Sequence, residues 1–334
     1  MKPIVVTPGD PAGIGPEIVA RAFAEAPEVM RGCFVVGNMA VMRRAAGFLP
    51  GLMLPVVELE SVGEEPPPRS LPVLPAVDMA EPWIVPGRVD ARAGAFAGQC
   101  VQWAARAALV GDVSAIVTAP LHKEALHAAG YPYPGHTELL QAEAAAHAGL
   151  AIEQMPVRMM LANAQLRTVL VSIHCSLREA IDAVRFEPVW QTVQITRNAL
   201  TRLLGREPRI ALAGLNPHAG EGGLMGREEI EVLEPVVRAA QDQGWAVTGP
   251  LAPDTVFMRA RKGEFDVVVA MYHDQGLIPV KYLGVDEGVN VTLGLPLVRT
   301  SPDHGTAFDI AGRGIASPAS LIQAVRMAKT LVSA

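Results

Sequence analysis

Short runs of apolar, β-forming residues alternate with longer alanine-rich stretches along most of the chain, as in PIVV, CFVV, SAIVT, RTVLVS, RIALAG and FDVVVA. This alternation is typical of βαβ units, in which helices connect the parallel strands of a sheet. No apolar run approaches the length of about 18 residues that a membrane-spanning helix needs. The pattern therefore predicts an α/β protein with mostly parallel sheets and no membrane span.

Polar residues follow several of these predicted strands at the position where each strand ends. They are Asp10, His122, Lys123, His174, His218, His273 and Asp274. In open parallel sheets, ligands bind outside the carboxyl ends of the strands. The sequence therefore predicts a functional site at these strand ends.

The stretch TPGDPAGIGPE follows the first predicted strand and could be taken for the phosphate-binding loop of a dinucleotide-binding enzyme. The fingerprint G-x-G-x-x-G would need a glycine at position 18, which is Ile18. Glu17 would place a carboxylate at the positive end of the following helix, where a pyrophosphate binds. The next apolar run ends in Asn38 rather than in the acidic residue that holds a ribose. We therefore interpret this loop as functional but not as a Rossmann loop.

Composition narrows the classes of partner. The 334 residues carry a net charge of −6 and only 5% are aromatic, which argues against a nucleic-acid partner. Cys33, Cys100 and Cys175 form no CxxC pair, and an odd number of cysteines is typical of reduced thiols in a cytoplasm. The first residues lack the pattern of a signal peptide. We therefore expect a soluble cytoplasmic protein.

Three of the strand-end histidines, His174, His218 and His273, are candidate metal ligands. Imidazole suits Zn²⁺, Co²⁺, Ni²⁺ or Mn²⁺, and three protein nitrogens leave coordination positions open for substrate oxygens. The alternative is that each histidine is a hydrogen-bonded structural residue. Asp274 could be a fourth ligand, a base or a solvated carboxylate, and Cys175 is interpreted as a small core residue.

Two further groups of residues could bind an anion. His136 and Thr137 lie at the start of a predicted helix, whose free N–H groups attract anions, although Thr137 could simply cap the helix. Lys281, Asn290 and Arg299 lie in a segment with little other positive charge, and their side chains suit a phosphate or a carboxylate. Taken alone, each residue of this second group would by default be a solvated surface residue.

Six stretches together closely resemble the 4-hydroxythreonine-4-phosphate dehydrogenase family: PGDPAGIGPE, TAPLHKEAL, YPGHTELL, NPHAGEGG, MYHDQGLIPVKYLG and GVNVTLGLPLVRTSPDHGTAFDIAGRG. The first and last are also similar to loops of the wider isocitrate/isopropylmalate dehydrogenase superfamily. The resemblance implies that the opening loop, with Gly13, lies near the reacting end of NAD. It implies that the adenosine end is held by the loop containing His304, Gly305, Thr306 and Asp309.

The resemblance also implies the fold and the assembly. One α/β domain would comprise residues 1–125 and 290–334 and the other residues 126–289, with the active site in the cleft between them, as in the isocitrate/isopropylmalate dehydrogenase fold. The middle domain would carry the metal ligands and the contact of a homodimer whose sites are shared between subunits. The implied metal ligands are His174, His218 and His273, and the implied substrate contacts are His136, Thr137, Lys281, Asn290 and Arg299.

The implied reaction is a NAD-dependent oxidative decarboxylation. NAD, or NADP, would oxidise the 3-hydroxyl of 4-phosphooxy-L-threonine, and the β-keto acid would lose CO₂ to give 3-amino-2-oxopropyl phosphate for vitamin B6 (pyridoxine) synthesis. One divalent metal per subunit (zinc, cobalt, manganese or magnesium) would lower the pKa of the hydroxyl and stabilise the enolate. The general base is left open among Lys123, Asp254 and Asp274.

Other substrates and other classes of protein remain open as alternatives. The stretch LHKEALHAAGYPYPGHTELL resembles at least as closely the relatives that act on 4-phospho-D-threonate or 4-phospho-D-erythronate, which would give dihydroxyacetone phosphate. A more distant relative oxidises a dihydrodiol dicarboxylate from terephthalate breakdown, and the set of Lys281, Asn290 and Arg299 argues against that substrate. A phosphate acyltransferase or a metal-binding protein without activity would not need the cofactor loop at residues 304–309.

Overall fold

A computed structural model describes residues 2–49, 51, 53–79, 84–284 and 287–333. The strands are β1 Ile4–Thr7, β2 Cys33–Val36, β3 Val56–Glu58, β4 Leu71–Leu74, β5 Ala115–Thr118, β6 Arg158–Ala162, β7 Arg167–Leu170, β8 Ile210–Ala213, β9 Val247–Leu251, β10 Val267–Ala270, β11 Val289–Leu293 and β12 Arg299–Pro302. The α-helices are α1 Gly15–Glu25, α2 Pro27–Met30, α3 Met39–Gly47, α4 Ala91–Leu109, α5 Lys123–Ala128, α6 His136–Ala148, α7 Leu177–Asp182, α8 Phe186–Leu204, α9 Glu234–Asp242, α10 Pro253–Arg261, α11 His273–Tyr282 and α12 Ala319–Ser333. The predicted α/β class with mostly parallel strands is confirmed.

The chain divides into two compact units. The first unit comprises the residues up to Pro156 together with Leu295–Ser333, and the second comprises Val157–Gly294. We expected residues 126–156 in the middle domain, but they pack with the terminal segments. The cause is α4, against which both α5 and α6 pack.

Side-chain contacts make the packing of α4 against α6, and against the segment before α6, specific. Glu143 of α6 accepts hydrogen bonds from Gln102 at 2.8 Å and from Arg106 at 2.9 Å, both on α4. Gly98 of α4 contacts the ring of Tyr131 so closely that no Cβ would fit there. Residues after position 125 are therefore held to the first unit by side-chain bonds that the hydrophobic pattern does not reveal.

The sheet of the first unit has the strand order β3-β4-β2-β1-β5-β12, and its described pairs are parallel. Strands β1, β2, β4 and β5 are buried along their whole length. Continuous apolar runs suit strands whose two faces are both covered. Thr7 pairs with Thr118 in register, so the segments that follow β1 and β5 start side by side.

The sheet of the second unit has the order β11-β6-β7-β10-β8-β9. Strand β6 pairs antiparallel with both β11 and β7, while the other described pairs are parallel. Residues 290–294, which we expected in the terminal domain, belong to this unit because β11 pairs with β6 over its whole length. Strand β10 lies between β7 and β8, so the carboxyl ends of these three parallel strands are adjacent.

Candidate active site

Two positively charged side chains, the buried Arg299 and the exposed Lys123, lie in the first unit around His136, the first residue of α6. One ring nitrogen of His136 hydrogen-bonds the Ala119 backbone, whereas Nε2 is buried without a partner. Burial, together with the charges of Arg299 and Lys123, holds the pKa of His136 well below its usual range. The imidazole is therefore neutral at physiological pH.

Arg299, the first residue of β12, is the buried cation of this group, with 4% of its surface exposed. Its Nε and Nη2 donate to the Thr118 hydroxyl at 3.1 and 2.8 Å. Burial lowers the pKa of Arg299 to about 10, opposed by the charge of Glu138, so the guanidinium remains positive at neutral pH. A buried guanidinium beside a neutral imidazole suits a phosphate or a carboxylate.

Several buried polar atoms without a hydrogen-bond partner lie at or next to the carboxyl ends of β1 and β5. Besides Nε2 of His136, the described residues include Oγ1 of Thr7, Oδ2 of Asp10 and Nδ1 of His122. Buried polar atoms are normally hydrogen-bonded, so such exceptions indicate places where a ligand or water binds. The predicted site at the strand ends of this unit therefore has atoms available for a ligand.

Asp10 is a site residue whose character the sequence did not reveal. Its carboxyl group is fully buried, and one oxygen accepts from the Ala12 backbone at 2.8 Å. Burial, together with the charge of Asp90, raises the pKa of Asp10 to about 6. The sequence placed Asp10 after a strand but could not show that water is excluded there.

The opening loop contacts the predicted cofactor loop. The Ile14 amide donates to the Thr306 carbonyl at 2.9 Å, and a Cβ on Gly13 would lie 2.9 Å from Thr306. Next along the cofactor loop, the ring of Phe308 stacks on that of His122 with centroids 4.6 Å apart. Gly13 and Thr306 are therefore brought together, and the other predicted cofactor residues, His304, Gly305 and Asp309, lie on the same loop.

Two of the three predicted metal ligands are neighbours in the second unit. The ring centroids of His174, after β7, and His273, after β10, are 5.9 Å apart. Nδ1 of His273 lies 2.7 Å from Oδ1 of Asp274, which leaves Nε2 for a metal, the arrangement that carboxylates commonly impose on metal-binding histidines. These two imidazoles fit a divalent metal ion as part of its ligand set.

His218 lies on a separate loop after β8 and does not join that pair in the described part of the chain, where no three His, Cys, Asp or Glu side chains are grouped so as to hold a metal. Residues 218–222 all have positive φ values, between 42° and 78°. The buried Glu229 fixes this loop, because Oε1 accepts from the amides of Leu215 and Asn216 at 2.8 Å. Sequence reasoning missed Glu229, because its position in an acidic run does not distinguish it from an exposed carboxylate.

The remaining predicted residues belong to several elements of the two units. Lys123 is exposed at the start of α5, beside His136, and Thr137 is partly exposed in the first turn of α6. In the second unit, Asp254 is exposed in the first turn of α10, while Lys281 in the last turn of α11 and Asn290 in β11 are partly exposed.

Two expectations concern features outside the site. The interpretation of Cys175 as a core residue is wrong, because the residue is exposed in the turn that leads from His174 to α7. Across the described residues, no helix is both long and apolar enough to span a membrane.

Comparison with known proteins shows the family. Residues 30–328 match the family described as "Pyridoxal phosphate biosynthetic protein PdxA". The chain is 50% identical over 328 residues to a 4-hydroxythreonine-4-phosphate dehydrogenase of Beijerinckia indica subsp. indica, which covers 96% of this chain and 92% of that protein. It is 44% identical over 334 residues to a D-threonate 4-phosphate dehydrogenase of Pectobacterium atrosepticum, which covers 99% of each.

A solved structure gives the same result for the fold. The crystal structure of a 4-hydroxythreonine-4-phosphate dehydrogenase from Klebsiella pneumoniae matches with a TM-score of 0.89 at 42% identity, covering 99% of this chain and 100% of that one. Since both sequence and fold match over nearly the full length, this chain belongs to the PdxA family of pyridoxal phosphate biosynthetic proteins.

Proposed function

We propose that this chain is a NAD-dependent, metal-dependent dehydrogenase that oxidatively decarboxylates 4-phosphooxy-L-threonine to 3-amino-2-oxopropyl phosphate. The observation that carries the proposal is the position of His136 beside the buried Arg299 and the exposed Lys123, with Nε2 of His136 buried and unpartnered. A phosphorylated acid brings the negative charge that such a group needs. The names of the relatives, dehydrogenases of 4-hydroxythreonine 4-phosphate and of D-threonate 4-phosphate, support the same substrate class.

The residues of the first unit would bind the phosphate. Arg299 supplies a permanent charge held in place by the Thr118 hydroxyl. His136 presents Nε2, because its other ring nitrogen is engaged by the Ala119 backbone. When the phosphate dianion arrives, a proton on Nε2 would turn this nitrogen from an acceptor into a charge-assisted donor. Thr137, Lys281 and Asn290 are the further substrate contacts that the family implies.

Divalent metal would bind to His174, His218 and His273, and the His174–His273 pair with Asp274 behind it supports this assignment. When bound, the metal supplies a Lewis acid that lowers the pKa of the substrate hydroxyl and polarises its oxygens. Asp274 fixes the tautomer of His273 by accepting from Nδ1, so that Nε2 carries the lone pair. Because this bond does not involve the substrate, the ring of His273 is oriented before the substrate binds.

Gly13 of the opening loop would lie near the reacting end of NAD, and the loop with His304, Gly305, Thr306 and Asp309, here called the NAD loop, would hold its adenosine end. When bound, NAD would accept the hydride from carbon 3. The opening loop keeps the NAD loop in place through the Ile14–Thr306 bond. The general base remains among Lys123, Asp254 and Asp274.

A homodimer with shared sites is part of the proposal. Ile278 and Tyr282, one turn apart on α11, are 61% and 91% exposed, and α7 exposes Leu177 and Ile181 in the same spacing. We assign the subunit contact to these two exposed apolar pairs. Mixing two inactive variants, His218→Ala and His273→Ala, tests the sharing of sites. If His218 and His273 of one site come from different subunits, random reassociation should restore about a quarter of the wild-type activity. If both come from the same subunit, no activity should be restored.

A second candidate substrate is 4-phospho-D-threonate, or the related 4-phospho-D-erythronate, which the relative of 44% identity favours. These acids carry a hydroxyl where 4-phosphooxy-L-threonine carries an amino group. The purified chain should be assayed with each phosphorylated acid and with its dephosphorylated form, following NADH and CO₂ together. Phosphorylated acids should be preferred, with CO₂ released in step with NADH. NADH formation without CO₂, or no activity with any of these acids, would refute the proposal.

A further inference from the structure

Glu17 is a buried carboxylate for which the proposed reaction has no use. Its residue surface is 2% exposed, at the start of α1. Its two carboxylate oxygens accept hydrogen bonds from the backbone amides of Gly312 and, at 3.0 Å, Gly314. These amides lie almost 300 residues further along the chain, immediately after the predicted cofactor loop, so Glu17 links the two motifs of the first unit.

The segment from Thr306 to Gly314 is held at both ends by the region that begins α1. At one end, the Ile14 amide donates to the Thr306 carbonyl at 2.9 Å. At the other end, Glu17 takes both glycine amides. Between these two points lies Asp309, which is exposed. The backbone of the loop is therefore hydrogen-bonded at both ends, by the Ile14 amide and by the Glu17 carboxylate, while Asp309 in its middle is exposed.

The chemistry of the contact requires a carboxylate. Two convergent N–H donors need two acceptor oxygens, and a glutamine would offer one acceptor and turn a donor towards the other amide. Arg21 stabilises the same segment, because its guanidinium donates to the carbonyls of Gly314 and Ala316, both at 2.9 Å. The charges of Arg21 and Arg44 also partly compensate the burial that raises the pKa of Glu17.

From these contacts we propose that Glu17 is a positioning residue, which holds the loop of residues 304–314 in the conformation that binds the adenosine end of NAD. The inference rests on the proposed function, since it takes that loop to be the NAD loop. Glu17 itself touches neither cofactor nor substrate. It acts through Gly312 and Gly314, whose positive φ values of 79° and 64° show that this backbone turn is specific.

The test is Glu17→Gln, with Glu25→Gln as its matched control. Glu25 lies on the same helix and pairs with Arg21 at 3.1 Å, but its side chain is 45% exposed and makes no bond to the loop. Loss of a charge-assisted bond should raise both the Kd and the KM for NAD about tenfold in Glu17→Gln. The kcat at saturating NAD and the KM for the phosphorylated acid should stay within about twofold of wild type. Glu25→Gln should match wild type in all of these.

The outcomes separate this inference from the proposed function. Unchanged Kd and KM for NAD in Glu17→Gln, while the wild type binds NAD, would overturn the inference alone. A fall in kcat together with comparable rises in the KM for NAD and in the KM for the phosphorylated acid would assign Glu17 a purely structural role and would also overturn the inference. Failure of the wild type to bind NAD would overturn both proposals. If Glu17→Gln does not fold, Arg21→Met releases the same segment from its carbonyl side and should raise the KM for NAD selectively.

Discussion

Replacing Asp10 by asparagine should change the pH dependence of stability in a defined direction. The folded-state pKa of Asp10 is raised from 3.8 to about 6 by burial and by the charge of Asp90, against the hydrogen bonds from the backbone of Ala12 and His122. The folded state therefore binds the proton more tightly than the unfolded state. The stabilisation from this proton is fully present below about pH 4 and is lost as the pH rises through about 6.

The magnitude follows from the shift in pKa. A difference of two units corresponds to about 3 kcal/mol between acidic and neutral pH. For a chain of 334 residues, that free energy corresponds to a change of about 4 °C in the midpoint of thermal unfolding. Asparagine keeps an acceptor for the Ala12 amide but carries no charge at any pH. As the pH rises from about 4 to about 8, the free energy of unfolding of Asp10→Asn should therefore increase by about 3 kcal/mol relative to that of wild type. This change is independent of the stability difference between the two proteins at acidic pH.

Urea and thermal unfolding of the ligand-free protein between these pH values measure the effect. The matched control is Asp112→Asn, because Asp112 is exposed at the end of a helix of the same unit. The stability difference between that variant and wild type should not change with pH by a comparable amount. A constant difference between Asp10→Asn and wild type across the range would show that the carboxyl is already charged in the folded state, and would refute the reasoning.

Three further predictions concern the phosphate and metal sites. Binding of inorganic phosphate at about pH 8 should take up protons in wild type and fewer protons in His136→Gln, because burial and neighbouring cations keep that imidazole neutral until the anion binds. Calorimetry in buffers of different ionisation enthalpy measures the proton uptake, and equal uptake in both proteins would contradict the prediction. Gly220→Ala should destabilise the protein by about 1–3 kcal/mol more than Gly222→Ala. Both glycines have positive φ, but only at Gly220 would a Cβ lie 2.7 Å from Glu229. Equal unfolding midpoints of the two variants would count against this prediction. Asp274→Asn should weaken metal binding about 10- to 100-fold without unfolding the protein, as followed by competition with a chelator, and an unchanged affinity would exclude its orienting role.

Much of the fold could be predicted because parallel strands leave a strong local signal. Apolar runs identify β7, β8 and β10, and parallel pairing then brings the residues after these strands to one edge of the sheet, as His174 and His273 show. The side of the boundary to which residues 126–156 belong could not be predicted. It depends on long-range contacts such as Tyr131 against Gly98, which change no local pattern.

The same limit applies to the candidate site. The positions of Asp10 and Glu17 could be read from the sequence, but their burial could not. Glu17 lies at the positive end of a helix, and this placement argued against a pyrophosphate there. Its actual partners, the amides of Gly312 and Gly314, are set by tertiary packing between distant segments. Burial likewise decides that Asp10 holds a proton near neutral pH, which no spacing of residues reveals.

In the proposed function, the buried charge of Arg299 recognises a phosphate group on the substrate. The most direct measurement is the ratio of kcat/KM for a phosphorylated acid to that for its dephosphorylated form, in wild type and in Arg299→Met. Loss of a charged hydrogen bond worth about 1.5–3 kcal/mol should reduce this ratio roughly 10- to 100-fold in the variant, with the Kd for NAD unchanged. His136→Gln should reduce the ratio in the same direction. An equal ratio in wild type and in both folded variants would contradict the claim that this site binds the phosphate.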